Sequence, residues 1–296
     1  FAMALRNIGW GCRFWKEDLG EAVEWYRKAI DTDNGRNALF LAECDEILEL
    51  MNAPLKERYD LFHGREDLYE KRYDSETKAI KLRILNGEYE EVLKSLLTRF
   101  YSRREHIEDL HDIYVDACLL SCLKAWDEND AAKALKYALM MNDYPENQGY
   151  AHLEYYARDA QVYYNIGLAY ERAGDYVKAK DYFEKAATVT VKPADGIYNY
   201  EKALAMKKLA PKANVKKMLR ETAAYGKSCV TDYVERFFES FGYGDYPADV
   251  NTKAYYMQGI AYKGLGRNAK AKKFFRKALK ERNENVWANY YLGNIK

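Results

Sequence analysis

The chain has few of the residues from which catalytic and metal sites are usually built, and only four of its 296 residues are histidines. His106 and His111 stand five positions apart among acidic residues, whereas two zinc-binding histidines on one helix normally stand four apart. The sequence has no glycine-rich phosphate loop and no nucleophile elbow. It therefore predicts no enzyme, no metal site and no cofactor, and we interpret the histidine pair as part of a solvated polar helix.

Cysteine is also scarce, and the five cysteines are odd in number and scattered. This usage fits reduced thiols in a core better than a disulfide framework. Cys118 and Cys122 share a helix face, which we interpret as packing of small residues. The five positions are Cys12, Cys44, Cys118, Cys122 and Cys229.

Long apolar runs are absent, and none approaches the roughly 18 residues that a membrane helix requires. No signal peptide opens the sequence. The sequence starts at Phe1 and both starts and stops inside repeats, so we expect a piece of a longer protein. We expect a cytoplasmic location and no membrane partner.

What the chain does contain is a repeat. Gly259 and Gly293 stand 34 residues apart, and a tyrosine precedes each by three positions. This period is the length of one helix–turn–helix repeat. Gly167 starts a similar unit, and both it and Gly259 are followed by small residues and a phenylalanine at the same offsets. These followers are Gly174, Ala179, Phe183 and Ala186 in one unit and Gly266, Ala271, Phe275 and Ala278 in the other.

The two units resemble the tetratricopeptide repeat family, which implies an all-α, right-handed α-α superhelix. Weaker copies occur along the chain, and the copy at Gly9 fits with one extra residue in its turn. We predict seven helix pairs plus one further helix, forming a single array over residues 1–296. We call the residue that takes the position of Gly167 in each copy its anchor. The anchors are Gly9, Asp45, Ile80, Cys122, Gly167, Ala203, Gly259 and Gly293.

Unequal anchor spacings predict three insertions, near residues 99–109, 142–157 and 229–251. In the second, Pro145 and Gly149 should end the preceding helix. The third is rich in aromatic residues, so we expect it to pack on the array.

The insertions carry a narrower resemblance, to the C-terminal repeat region of large bacterial proteins of unassigned function. The matching residues are Tyr144, Pro145, Glu146, Asn147 and Gly149. Gln148, Met206 and Lys207 depart from the pattern. The resemblance implies an N-terminal, mutarotase-like β domain elsewhere in such a protein, and it implies no catalytic residues.

The formal charge of +1 hides an asymmetry between the two parts of the chain. Residues 197–296 contain 20 Lys and Arg against 9 Asp and Glu, which leaves 27 against 37 in residues 1–196. Between Lys263 and Arg282 the cations follow a helical face. Such a face can attract nucleic acid or an acidic partner. It can also simply keep an outer helix solvated. We favour the solvated helix and do not expect nucleic acid.

A repeated tyrosine stands three residues before each of the last four anchors, at Tyr164, Tyr200, Tyr256 and Tyr290. In this architecture that position faces the concave side, where tyrosine offers contact area at small entropic cost. We call these four residues the tyrosine column. The alternative is that the column packs against the next repeat. Four cations lie one turn further along the same helices, so the concave side is predicted to form an aromatic and basic groove. They are Arg172, Lys207, Lys208 and Lys263.

These features predict a non-catalytic scaffold that binds a peptide or a partner domain in its concave groove. The partner domain could belong to the same longer chain. The alternative function is an accessory module of a carbohydrate-handling bacterial protein, with a glycan as ligand. Extended acidic peptides and sugars are both ligands on which tyrosine faces can stack.

Overall fold

The computed structural model describes residues 1–70, 72–101, 110–153, 155–234 and 246–294, and over these ranges it contains helices and no strands. The all-α prediction is therefore confirmed. No helix within the described ranges is long and apolar enough to span a bilayer. The α-helices are α1 (Ala2–Gly11), α2 (Leu19–Thr32), α3 (Ala38–Leu50), α4 (Leu55–Phe62), α5 (Glu66–Tyr69), α6 (Tyr73–Leu85), α7 (Tyr89–Thr98), α8 (Leu110–Asp127), α9 (Ala131–Met140), α10 (Asp159–Arg172), α11 (Tyr176–Thr188), α12 (Asn199–Leu209), α13 (Lys216–Ser228), α14 (Pro247–Gly264), α15 (Asn268–Glu281) and α16 (Val286–Asn294).

The chain divides into two compact units. The first comprises Phe1–Glu88 with Arg282–Glu284, and the second comprises Tyr89–Glu281 with Asn285–Lys296. The boundary falls between α6 and α7, which the sequence pattern groups as the third helix pair. That residues 1–296 form one array stays a prediction.

A close contact between a glycine and an aromatic ring holds each of the two best-matched repeats together. A Cβ atom built on Gly167 would lie 2.7 Å from the Phe183 ring, and one on Gly259 would lie 2.6 Å from the Phe275 ring. Real Cβ atoms do not approach so closely, because such a distance is deep inside van der Waals contact. Glycine at these anchors thus allows the first helix to lie directly against the second, and the rings fill the remaining space.

The first repeat contains its predicted extra residue in an unexpected place. A π-helix, Cys12–Lys16, continues directly from α1, and a π-helical turn accommodates one residue more than an α-helical turn. The residue therefore lies in the extension of the first helix. Gly9 keeps the anchor contact, since a Cβ atom there would lie 2.8 Å from the ring of Tyr26.

The second repeat replaces the small anchor with a buried ion pair. Arg58 Nε lies 2.7 Å and Nη2 lies 3.0 Å from the two carboxylate oxygens of Asp45, and both side chains are almost fully buried. The bidentate pairing supplies the hydrogen bonds that a charge needs away from water. This explains why a charged residue stands at a core position of the repeat.

In the segment predicted to be an insertion near 142–157, α9 ends at Met140 and Gly149 adopts a left-handed backbone conformation. The segment also holds the end of α7, where Asn147 Nδ2 donates to the Leu96 carbonyl over 2.8 Å. Such a contact satisfies a carbonyl that the helix leaves unpaired at its C-terminus. In the other two predicted insertions, residues 102–109, which include His106, and residues 235–245 lie outside the described residues.

We predict that Gly259→Ala lowers the free energy of unfolding by about 1–3 kcal/mol, because the added methyl group overpacks the contact with Phe275. Gly293→Ala is the matched control, since nothing lies within 4 Å of a Cβ atom there. Urea unfolding followed by circular dichroism measures both. Equal stability of the two variants would contradict the anchor contact.

Arg58→Met should destabilise the protein by about 3–5 kcal/mol, because Asp45 is then left as an uncompensated buried charge. Lys56→Met removes an exposed ion pair with Asp60 on the same helix and should cost less than about 1 kcal/mol. The urea midpoints of the two variants give the comparison. An unchanged midpoint for Arg58→Met would show that the pair does not stabilise this repeat.

Candidate ligand groove

The four column tyrosines lie on four successive first helices of the second unit, namely α10, α12, α14 and α16. Tyr200 and Tyr256 are buried, with 9% and 7% of their surface exposed. Tyr164 and Tyr290 are half-buried. The column is therefore only partly accessible, and its accessible members are its first and last.

Two column tyrosines pack in the same way on the phenylalanine of their own repeat. The rings of Tyr164 and Phe183 have centroids 5.9 Å apart and an interplanar angle of 39°. For Tyr256 and Phe275 the values are 5.8 Å and 36°. This recurrence assigns a packing role to both tyrosines, in addition to any contact that Tyr164 makes with a ligand.

Lys263 lies among aromatic rings. Its Nζ is 4.6 Å from the ring centroid of Tyr200 and 4.9 Å from that of Tyr291, and it donates a hydrogen bond to the Tyr200 hydroxyl. Burial lowers the pKa of Lys263, partly offset by the negative charge of Glu201. Lys263 is thus held by cation–π contacts inside the predicted groove.

A buried polar network lies beside these rings and centres on Arg158, which is 4% exposed. Its guanidinium pairs with Asp112 and Asp116, and its Nε donates to the Gln161 side chain over 3.2 Å. Trp287 Nε1 donates to Asp116 over 2.7 Å. The network therefore joins α8, α10 and α16 within the second unit.

Glu201 extends this network. It is 4% exposed, and burial raises its pKa to about 7 although a hydrogen bond from Gln161 and the charge of Lys263 favour the carboxylate. A buried carboxyl group that titrates near neutrality is a feature of functional sites and of structural networks alike. Here its charge acts on Tyr164, Tyr200 and Lys263.

Sequence reasoning missed Glu201, yet the repeat register contains a signal for it. Glu201 stands two residues before the anchor Ala203. The residues at the same position in the neighbouring repeats, Asn165 and Met257, are also buried. A carboxylate at that position is therefore expected to lie inside.

The exposed cations lie at the C-terminal ends of α10 and α12. Arg172, Lys207 and Lys208 are exposed, and the guanidinium of Arg172 lies 4.0 Å from the ring centroid of Trp126. Lys208 forms an ion pair with Glu171 on the neighbouring first helix. We call Trp126, Arg172, Lys207 and Lys208 the rim. Trp126 was not predicted, although it lies four residues after the anchor Cys122.

The interpretation of His111 as part of a solvated helix is wrong, because its side chain lies in the interior. His111 is 2% exposed and stacks on Tyr144 with ring centroids 4.0 Å apart, and burial lowers its pKa to about 4. Among the described residues, no group of three or more His, Cys, Asp or Glu is arranged to hold a metal. All five cysteines are free, and four are buried, which agrees with reduced core thiols.

Two segments of the chain match models of the tetratricopeptide repeat, residues 160–189 and residues 252–285. They surround the anchors Gly167 and Gly259, so the models of this repeat match where the sequence pattern places its clearest units. A comparison with curated proteins finds no match.

Similar solved structures include other repeat proteins. The C-terminal part of a TPR repeat-containing protein from Cytophaga hutchinsonii is 16% identical, with 98% of each chain covered and a TM-score of 0.34. YrrB, a TPR protein with an unusual peptide-binding site, is 14% identical over 90% of this chain and 96% of its own, with a TM-score of 0.23. Yeast Tom70 is 12% identical over 99% of this chain and 66% of its own, with a TM-score of 0.27. No function passes to this protein from likenesses of this size.

We predict that Glu201→Gln stabilises the protein at pH 8 by an amount on the order of 3 kcal/mol, and that the gain shrinks towards pH 5. The native carboxyl releases its proton near pH 7 and the unfolded one near its ordinary 4.5. Wild-type stability therefore falls as the pH rises between these values, and glutamine removes that loss.

Urea unfolding of Glu201→Gln and wild type at pH 5 and pH 8 measures the difference. The exposed Glu184→Gln serves as control and should change stability little at either pH. A Glu201→Gln gain that is the same at both pH values would contradict the buried carboxyl.

Proposed function

We propose that the protein is a non-catalytic scaffold that binds an extended acidic peptide, or an acidic segment of a partner protein, along the rim. One observation carries the proposal: three exposed cations and a tryptophan lie at the ends of successive first helices. Tyr164 extends this surface into the groove. The tetratricopeptide repeats of the chain support a binding role rather than catalysis.

The chemistry of the rim suits carboxylates. Arg172 stacks its guanidinium face on Trp126, and a guanidinium so held keeps its edge N–H groups for a bidentate contact with a carboxylate. Lys208 is already paired with Glu171, so a ligand carboxylate would exchange with that side chain. Lys207 adds a second positive charge beside it.

The rim replaces the tyrosine column as the centre of the proposed site. Tyr200 and Tyr256 are buried, and Lys263 is engaged by the rings around it. A ligand reaches Tyr164 and the rim without displacing those side chains. A domain of the same longer chain fits this proposal as well as a separate protein, provided that it presents an acidic segment.

Selection of 12-residue peptides by display against the protein tests the proposal. We expect acidic peptides, and we expect Lys207→Glu with Lys208→Glu to weaken their binding at least tenfold, which is about 1.4 kcal/mol. Lys216→Glu with Lys217→Glu on α13 makes the same charge change at exposed positions and should leave affinity within about twofold.

A glycan array run in parallel tests the carbohydrate-handling alternative. Binding to glycans without selection of any peptide would contradict the proposed function. If the rim double variant and the wild type bound the peptide with equal affinity, the peptide would not bind at the rim.

A further inference from the structure

The outer surface of α15 carries an unusual concentration of positive charge. Seven cations fall within 14 residues, and no acidic residue interrupts them before Glu281. Six of the seven are exposed and Lys272 is half-buried. We call this set the α15 face, and its members are Arg267, Lys270, Lys272, Lys273, Arg276, Lys277 and Lys280.

The α10/α11 repeat provides an internal comparison, because it keeps the same scaffold. In each repeat a tyrosine of the first helix stacks on an aromatic ring of the second, and a lysine covers that tyrosine. The residues are Tyr170, Tyr182 and Lys178 in the earlier repeat and Tyr262, Phe274 and Lys270 in the later one. The ring centroids lie 5.6 Å and 5.4 Å apart, respectively, and the lysine Nζ lies 5.1 Å and 4.0 Å from its ring.

The two repeats differ in charge at three matched positions. Where α11 and the residue before it carry acids, the later repeat carries cations. The pairs are Asp175 and Arg267, Asp181 and Lys273, and Glu184 and Arg276. Asp175 pairs with Lys178 over 3.0 Å, and Glu184 lies 3.6 Å from Lys180. By contrast, Arg267, Lys273 and Arg276 have no ion-pair partner within the described part of the chain.

The fold of the repeat does not require the charge of the α15 face. The same core and the same aromatic contacts form in α11 with a mixture of signs, so packing does not require seven cations. Like charges at helical spacing also destabilise a helix slightly. The concentration of charge on α15 therefore calls for an explanation outside the repeat, and a polyanionic partner supplies one.

We propose that the α15 face is a second docking surface, distinct from the rim, for an acidic segment of a partner protein. The face is about 20 Å long at 1.5 Å per helical residue, which suits a short carboxylate-rich helix or strand. The chain's formal charge of +1 becomes −6 when the seven cations are set aside.

The aromatic contacts of α15 favour an acidic protein segment over unpaired nucleic acid. Stacking of unpaired bases needs free aromatic faces, whereas Lys270 and Lys277 lie over the rings of Tyr262 and Phe274 at 4.0 Å and 5.6 Å. Duplex binding is therefore the competing outcome of the test.

The test uses a dye-labelled peptide of seven Glu-Ser repeats and measures fluorescence anisotropy at low salt. We expect Arg267→Asp, Lys273→Asp and Arg276→Glu together to weaken binding at least tenfold, because they give α15 the charges of α11 at the matched positions. Circular dichroism should remain unchanged, since α11 folds with these residues. The reverse triple variant, Asp175→Arg, Asp181→Lys and Glu184→Arg, should strengthen binding.

Three controls locate the effect. A peptide of Gln-Ser repeats should not bind, and Lys216→Glu with Lys217→Glu on α13 should change affinity for the Glu-Ser peptide by less than twofold. The rim variant Lys207→Glu with Lys208→Glu keeps α15 intact, so residual binding in that background separates this proposal from the proposed function.

Two results would overturn the inference. Binding of the Glu-Ser peptide that is as tight in the α15 triple variant as in wild type would show that the α15 face is not a docking surface. Tighter binding of a 14-base-pair duplex than of the peptide, lost in the same triple variant, would assign the face to nucleic acid instead.

Discussion

The contact of an anchor glycine with an aromatic ring is the constraint on which the clearest repeats depend. Gly167 and Gly259 let two helices approach until Phe183 and Phe275 lie against the backbone of the first helix. The ring then also packs on the tyrosine three residues before the glycine. One contact thus sets the distance between the helices, their register and the direction of the side chains around them.

That constraint determines which candidate groove residues a ligand can reach. Positions close to the anchor face the packed interior, where Tyr256 and Glu201 are buried beside the Arg158 network. Positions near the end of the first helix lie beyond the packed rings, so Arg172 and Lys208 reach solvent. Charge inside the second unit is consequently satisfied by protein partners, whereas Arg172 and Lys207 at the rim and most cations of the α15 face are exposed.

Most of the architecture could be read from the sequence because it is local and periodic. The sequence pattern placed Gly9 and Tyr26 at matching positions of the first repeat and required one extra residue between them. It did not predict the π-helix that contains this residue. Long-range pairing could not be read in this way. Nothing in the spacing of Asp45 and Arg58 indicates a bidentate ion pair, and the network joining Asp116 to Trp287 connects residues 171 positions apart. The burial of Tyr200 likewise depends on Tyr291, a residue from another helix.

The central claim is that an extended acidic peptide binds at the rim formed by the C-terminal ends of the first helices. Photo-cross-linking tests it directly, with a photoreactive residue in place of Lys207 in one variant and of the exposed Lys253 on α14 in another. A display-selected 12-residue acidic peptide is the probe, and mass spectrometry identifies the adducts. The account predicts a peptide adduct at position 207 and none at position 253. Adducts of equal yield at both positions, or none at position 207, would contradict it.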